Sequence, residues 1–382
     1  MLDTFLDFTS ALPEPGLFGE ESTPVGTVKL IKGKVGPAAR MHFVAESRGG
    51  YFRLPLRADS SWNKAAGFSF WVKGDGSDGP GGLALVDRKQ IHARYLFEFP
   101  LDSTKWRQFL VPWCDLLPGS PYARLIDPRR GYKPSGFGAI WFGKAPYLPT
   151  WPAHTFAVDG FRLEAEIPVD TTNYRPAAPG LPRVLAKLRA KQPVTIVTMG
   201  DSLTSPYHWA NREVIWTSLL ADRLTARTGS ELTVANVSMG GHQLTHGLLR
   251  MPTWVPSTPD PDLVTVWFGG NDWSDGMRRA QFEDTLRFAI ARIRRLTQGS
   301  ADLLLMTTVT ALETWGGEIQ ELAEATRAVA AEEGTGLVDT YAAFAKAGRR
   351  RADRERLYAW DKVHLGEYGH EVTAEAVLKA LA

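Results

Sequence analysis

The rhythm of apolar and polar positions changes near the middle of the chain, and that change divides it in two. Between residues 25 and 165 the apolar residues come in short runs rich in aromatic and β-branched side chains, broken by Gly, Pro, Asp and Ser. Gly67-Phe68-Ser69-Phe70-Trp71-Val72 is one such run, and Gln108 to Trp113 and Phe156 to Leu163 are two more. Tyr95-Leu96-Phe97-Glu98-Phe99 sets three rings on alternate positions, the spacing of one face of a pleated strand. No long 3.6-residue apolar period interrupts them. Short strands separated by turn signals predict an antiparallel β-sandwich, or jelly roll, over residues 1–167.

Pro168, Pro176, Pro179 and Pro182 follow within a polar, turn-prone stretch. Proline lacks a backbone donor and sits poorly inside helix or sheet, so residues 168–192 read as a linker with a short helix. From residue 193 onward, strand and helix patterns alternate. Strands are predicted at Val194 to Met199, Leu232 to Val237, Leu263 to Phe268, Leu303 to Thr307 and Gly336 to Asp339. A helix is expected from about Arg212 to Thr228, and another carries Phe282, Leu286, Ile290, Ile293 and Leu296 on one face. The last helix turns Ala374, Val377, Leu378 and Leu381 inward. Regular β-α alternation predicts a three-layer α/β domain over 193–382, its five-stranded parallel sheet covered on both faces.

Composition excludes several classes of function. Net charge is +2, from 44 basic and 42 acidic residues, and neither half carries the basic excess of a duplex-binding protein. Nucleic acid is therefore not an expected partner. No apolar run reaches the roughly 20 residues of a membrane-spanning helix, and mean hydropathy is −0.19, so no membrane partner is expected. A lone cysteine, Cys114, excludes an internal disulfide and a cysteine-cluster metal site. Met1-Leu2-Asp3-Thr4-Phe5 lacks the basic and apolar regions of a secretory signal. The expectation is a cytoplasmic chain, or a secreted one without its leader. The composition is unusual in one respect, its 13 tryptophans.

The reactive residue types gather in four short blocks. In a parallel α/β sheet, functional groups collect beyond the carboxyl ends of the strands. After the first predicted strand comes Gly200-Asp201-Ser202-Leu203-Thr204, and after the second Asn236-Val237-Ser238-Met239-Gly240-Gly241. After the third comes Gly269-Gly270-Asn271-Asp272, and near the end Asp361-Lys362-Val363-His364. Each block alone reads as a turn or a helix cap. Their joint occurrence, in this order and at these places, points to chemistry. A serine hydroxyl needs a base to take its proton, histidine titrates near working pH, and a carboxylate three residues before it can fold back onto Nδ1. Thr204 stands where a Gly-x-Ser-x-Gly elbow would place its last glycine, so the α/β-hydrolase pattern is absent.

The four blocks resemble the SGNH, or GDSL-type, esterase and lipase superfamily over about half the chain, from Pro193 to Ala382. The resemblance implies Ser202 as nucleophile, His364 as general base and Asp361 as its orienting carboxylate. It implies an oxyanion hole from the Ser202 N–H, the Gly241 N–H and the Asn271 side-chain amide, with Gly240 as the alternative glycine. It requires no cofactor. His242 and His246, beside the glycine pair, are expected at the surface, with substrate contact as the alternative; of the two, His242 is the candidate substrate residue. His370 is expected to start the last helix. Gly74 to Gly79 reads as a hairpin loop, and the arginines from Arg349 to Arg356, broken by Asp353 and Glu355, as a solvated face.

Trp62, Trp71, Trp106, Trp113, Trp141 and Trp151 precede the linker. The stretches Phe68 to Ser77, Trp106 to Trp113 and Val158 to Leu163 are similar to carbohydrate-binding jelly rolls of the galactose-binding type. That similarity implies a structural Ca²⁺, with Asp159 as candidate ligand. The alternative is that these tryptophans fill a sandwich core. Around the four blocks, Tyr207, Trp209, Trp273 and Trp360 are candidate substrate contacts. A jelly roll before an SGNH domain resembles the layout of some carbohydrate esterases, which implies removal of acetyl groups from a glycan. Two alternatives stay open: an esterase, lipase or thioesterase for non-sugar acyl groups with a structural sandwich, and a glycan O-acyltransferase.

Overall fold

A computed structural model of the chain describes residues 4–9, 11–17, 25–45, 50–119, 133–144, 153–258, 260–310 and 317–381. It divides into two compact units, Met1–Asp170 and Thr171–Ala382.

The first unit packs two antiparallel sheets face to face. One contains β1 (Thr4–Leu6), β3 (Gly26–Lys32), β4 (Pro37–Phe43), β6 (Gly67–Lys73), β9 (Arg107–Pro112) and β12 (His154–Glu164), ordered β3-β4-β12-β6-β9 with β1 against β12. The other contains β2 (Glu14–Leu17), β5 (Gly50–Pro55), β7 (Pro80–Asp87), β8 (Arg94–Pro100), β10 (Leu117–Pro118) and β11 (Phe137–Lys144), ordered β10-β8-β7-β11-β5-β2. Helical structure among the described residues here is limited to short 3₁₀ turns such as Ser60–Lys64 and Pro134–Gly136.

Side-chain alternation builds the core. Phe68, Phe70 and Val72 of β6 point inward, as do Tyr95, Phe97 and Phe99 of β8. Rings from opposite sheets then meet edge to face: Phe70 with Phe99 at 5.6 Å, Phe43 with Phe52 at 5.1 Å, and Phe142 with Phe161 at 5.8 Å. Each fully buried Phe contributes about 2 kcal/mol of transfer free energy. Trp62, Trp113 and Trp141 are buried too, and Trp113 Nε1 donates to the Ala65 carbonyl at 2.8 Å. Trp71 and Trp106 are half-buried, with the Lys34 ammonium over the Trp71 ring. Trp151 lies outside the described residues.

Two expectations are corrected here. Gly74 to Gly79 is not a hairpin, because β6 and β7 belong to different sheets and the loop crosses between them. Asp159 does not fit a Ca²⁺ site: its Oδ2 accepts the N–H groups of Val35 and Gly36, at 2.6 and 3.2 Å, which pins the β3–β4 turn. Donor hydrogens face that oxygen, where a cation would need it free. No cluster of three or more metal-ligating side chains occurs among the described residues.

The second unit is built on β13 (Val194–Gly200), β14 (Leu232–Asn236), β15 (Leu263–Trp267), β16 (Asp302–Met306) and β17 (Gly336–Val338). These are parallel and ordered β14-β13-β15-β16-β17. Helices α1 (Pro182–Arg189), α2 (Trp216–Thr228), α3 (Leu244–Leu249), α4 (Met251–Trp254), α5 (Gly270–Ser274), α6 (Arg279–Leu296), α7 (Gln320–Glu333), α8 (Thr340–Ala347), α9 (Arg351–Arg356) and α10 (Glu367–Ala380) surround it. On one face Val184, Trp216, Leu220, Phe344, Ala374 and Val377 pack on Ile196, Trp267 and Leu304. Helices α3, α6 and α7 pack together against β13, β16 and β17. Of the five predicted positions on α6, Phe282, Leu286, Ile290 and Ile293 are buried, whereas Leu296, in the last turn, is only half-buried.

Helix α2 starts at Trp216, later than Arg212, because Trp209–Asn211 forms a separate 3₁₀ turn and Ile215 is extended. Helix α10 starts at Glu367, so His370 lies inside its first turn, buried, with Nδ1 accepting the Trp216 N–H at 3.3 Å. Burial pushes this imidazole down to about 4. It joins two helices as a neutral acceptor. The arginines of α9 are exposed, and Arg351 and Arg356 pair with Glu355 and Asp353.

Candidate active site

Strand register brings the first three blocks level. Gly200 pairs with Trp267, and Thr198 with Asn236, so β13, β14 and β15 end side by side. Gly200 is required at that turn: a Cβ there would sit 2.7 Å from Thr204 Oγ1 and 3.1 Å from the Trp267 carbonyl. The chain reverses immediately, and the Asp201 carbonyl accepts the N–H groups of Thr204 and Ser205. Ser202 sits at the head of this turn.

Its hydroxyl meets the last block. Ser202 Oγ lies 2.9 Å from His364 Nε2, and His364 Nδ1 lies 2.5 Å from Asp361 Oδ2. The Asp361 loop is tied locally, with Oδ1 accepting the Val363 and His364 N–H groups at 3.1 and 3.0 Å. Closing that loop forces Lys362 to φ +62°, a left-handed conformation that costs a lysine on the order of 1 kcal/mol. Partial burial pushes the Asp361 carboxyl up, but hydrogen bonds from the His364 ring and the two N–H groups outweigh it and hold it below its ordinary value. Asp361 therefore stays anionic and keeps the proton of His364 on Nδ1. Nε2 is left as the acceptor for the serine.

The glycine block borders the serine, and the Asn271 block is tied to the loop that carries those glycines. Gly241 adopts φ +77°, a turn few other residues make, and a Cβ on Gly240 would lie 3.8 Å from Ser202 Cβ. Asn271, at the start of α5, donates one amide hydrogen to the His242 carbonyl at 2.9 Å. That bond ties the β15 loop to the β14 loop and leaves the second amide hydrogen available. The expectation for the two histidines is corrected. His242 and His246 are buried rather than superficial, and His242 is only 3% exposed. His246 Nδ1 accepts the Gln243 N–H at 3.0 Å, and burial drives His242 well below the ordinary imidazole value. The carbonyl of His242, not its ring, enters the architecture of the site.

Two carboxyls within the blocks, Asp201 and Asp272, are buried. Burial pushes both up to about 7, despite the N–H groups of Leu203 and Leu244 that donate to them, and Asp201 adds to the rise at Asp272.

Aromatic rings rim the site unevenly. Tyr207 is 80% exposed, Trp360 81% and Trp209 41%. Trp209 and Trp360 stack at 5.2 Å, and Trp209 meets the His364 ring edge-on at 5.8 Å. Trp273 is half-buried beneath the Arg278 guanidinium, 4.8 Å from its ring, and so offers less of its face. Sequence reasoning overlooked two residues here. His208 stacks on His364 with centroids 4.0 Å apart. The Asn211 amide donates to the carbonyls of Ser202 and Ser205, at 2.7 and 2.6 Å. Neither belongs to a block, and only the curl of the loop brings them in.

Residues 198–372 match the GDSL-like Lipase/Acylhydrolase family model. Over 145 residues the chain is 32% identical to Esterase TesA of Pseudomonas aeruginosa, covering 38% of this chain and 69% of that one. Over 123 residues it is 32% identical to Thioesterase 1/protease 1/lysophospholipase L1 of Escherichia coli K12, covering 32% of this chain. The chain thus spans about half of that relative, 55% of its length. The crystal structure of an acetylxylan esterase from Geobacillus stearothermophilus aligns over 50% of this chain and 94% of that one, at 21% identity and a TM-score of 0.42. The matched residues include Ser202, Gly241, Asn271, Asp361 and His364, and this chain belongs to the GDSL-like lipase/acylhydrolase family.

Proposed function

We propose that the chain is a serine esterase that removes O-acetyl groups from a carbohydrate. The Ser202–His364–Asp361 contacts support the chemistry. His364 Nε2 takes the proton as Ser202 Oγ attacks the ester carbonyl, and the tetrahedral oxyanion is held by the Ser202 and Gly241 N–H groups and the free Asn271 amide hydrogen. Collapse expels the sugar alcohol, which receives the proton from the His364 imidazolium. Water then repeats the sequence on the acetyl-serine and releases acetate.

The single observation behind the substrate class is the exposed aromatic pair beside the base. Trp209 and Trp360 stack on each other, and Trp209 touches His364. Exposed indoles facing water are unfavourable unless something covers them. A pyranose ring presents C–H faces of matching size, and an acyl group is small enough to enter beside Ser202 without a greasy channel. The names of the curated relatives favour a second reading, an acyl thioester or lysolipid substrate.

Acetate release from acetylated oligosaccharides, compared with hydrolysis of an octanoyl ester of the same alcohol, tests the choice. The acetyl sugar is expected to give the higher kcat/KM by about tenfold or more. Preference for octanoate would sink the carbohydrate assignment and favour the second reading.

A further inference from the structure

The loop that carries Ser202 also reaches the base. The His208 N–H donates to the Ser205 carbonyl at 3.3 Å, and the Asn211 N–H to the His208 carbonyl at 3.1 Å. With the Asn211 amide clamped to Ser202 and Ser205, the curl lays His208 on His364. The two imidazoles stack 4.0 Å apart with planes 27° from parallel.

We propose that His208 is a positioning residue for the reaction, one whose stacked ring holds His364 Nε2 on the Ser202 hydroxyl while the proton moves. The inference rests on the nucleophile and base assignments above. Three observations carry it. His208 Nδ1 accepts the Ala210 N–H at 3.3 Å, which anchors the ring from behind. Its other edge reaches the glycine loop, since a Cβ on Gly240 would lie 3.6 Å from His208 Cδ2. The ring therefore spans the base and the segment expected to bind the oxyanion, and Trp209 closes on His364 from a second direction.

The electrostatics suit the role. Burial pushes His208 down to about 4, the charge of His364 acts in the same direction, and the Asp361 carboxylate opposes them. Above pH 5 the ring is uncharged. A cation in this position would repel the imidazolium that forms as His364 takes the proton. An uncharged π face attracts it. Holding the ring matters because misplacing a reacting group by about 1 Å can cost on the order of 10²-fold in rate.

The test is the second-order rate at which a small fluorophosphonate labels Ser202, with kcat and KM for para-nitrophenyl acetate measured beside it. Neither probe needs the aromatic rim. His208→Ala is expected to slow labelling and lower kcat by about 10- to 100-fold with KM little changed, and His208→Phe to stay within about threefold of the parent protein. If the alanine variant does not fold, His208→Gln removes the ring with less loss of volume and carries the same expectation. Undiminished labelling in either, a change confined to KM, or a phenylalanine variant as slow as the others would overturn the proposal. Persistent labelling of Ser202→Ala would instead defeat the nucleophile assignment.

Discussion

The two units use the same kind of side chain for opposite ends. In the sandwich, Phe70 is buried between sheets among Phe97, Phe99 and Phe161, and Trp62 and Trp113 lie beside each other in the same core. In the hydrolase unit, Trp209 and Trp360 stack in the open beside a histidine. Alternation along a strand explains the first, because every second residue of a paired strand must face the partner sheet. Loop position explains the second, because Trp209 and Trp360 flank segments whose backbones are tied down to shape a site. An aromatic excess in a composition says nothing until each ring is placed.

The largest effect expected from breaking this comparison is on stability. Phe70→Ala should cost the sandwich about 3–5 kcal/mol, whereas Trp360→Ala, although it removes a larger side chain, should leave stability within about 0.5 kcal/mol. Chemical denaturation followed by circular dichroism reads both. Similar losses for the two variants would mean that the exposed indole is a packing residue.

Next comes the proposed oxyanion donor. Asn271→Ala should lower kcat by about 10²–10³-fold with a smaller change in KM. A change in KM alone would make Asn271 a binding residue. The variant also frees the His242 carbonyl, so a melting curve must accompany the kinetics.

The smallest effect is on pH dependence. Asp272 is raised to about 7 in the fold, so its contribution is full below about pH 4 and is lost as pH rises through 7. The buried His370 is depressed to about 4 and acts in the opposite sense, losing its contribution as pH falls from about 6.5. Between pH 6.5 and 8 the two raised carboxyls, Asp201 and Asp272, govern. Thermal stability of the parent protein should fall across that window, and Asp272→Asn, which retains an acceptor for the Leu244 N–H, should make the fall shallower, with Asp201 carrying what is left. An unchanged slope would show that Asp272 is not protonated in the native state.

Much of the α/β unit was legible because its strands are continuous apolar runs, and its reactive blocks sit where those runs stop. Ser202, His364 and Asp361 are each marked by a local pattern, including a three-residue carboxylate–histidine spacing that one turn can close. His208 was not legible, because no motif links it to Ser202 and its place depends on Asn211 bridging two carbonyls. The burial of His242 and His246 was hidden for a similar reason: neighbouring elements cover them, and their own segment gives no apolar period. Gly74 to Gly79 has the composition of a hairpin turn, but local turn chemistry does not say which sheet receives the next strand.

The central claim is an acyl-enzyme on Ser202, and it is tested most directly by trapping it. The protein is mixed with an acetyl ester, quenched in acid during turnover, digested and mapped by mass spectrometry. The account predicts an acetyl group on the peptide containing Ser202, and loss of both that mass and about 10⁴-fold or more of the hydrolysis rate in Ser202→Ala. Acetylation of a different residue, or turnover that survives Ser202→Ala, would contradict it.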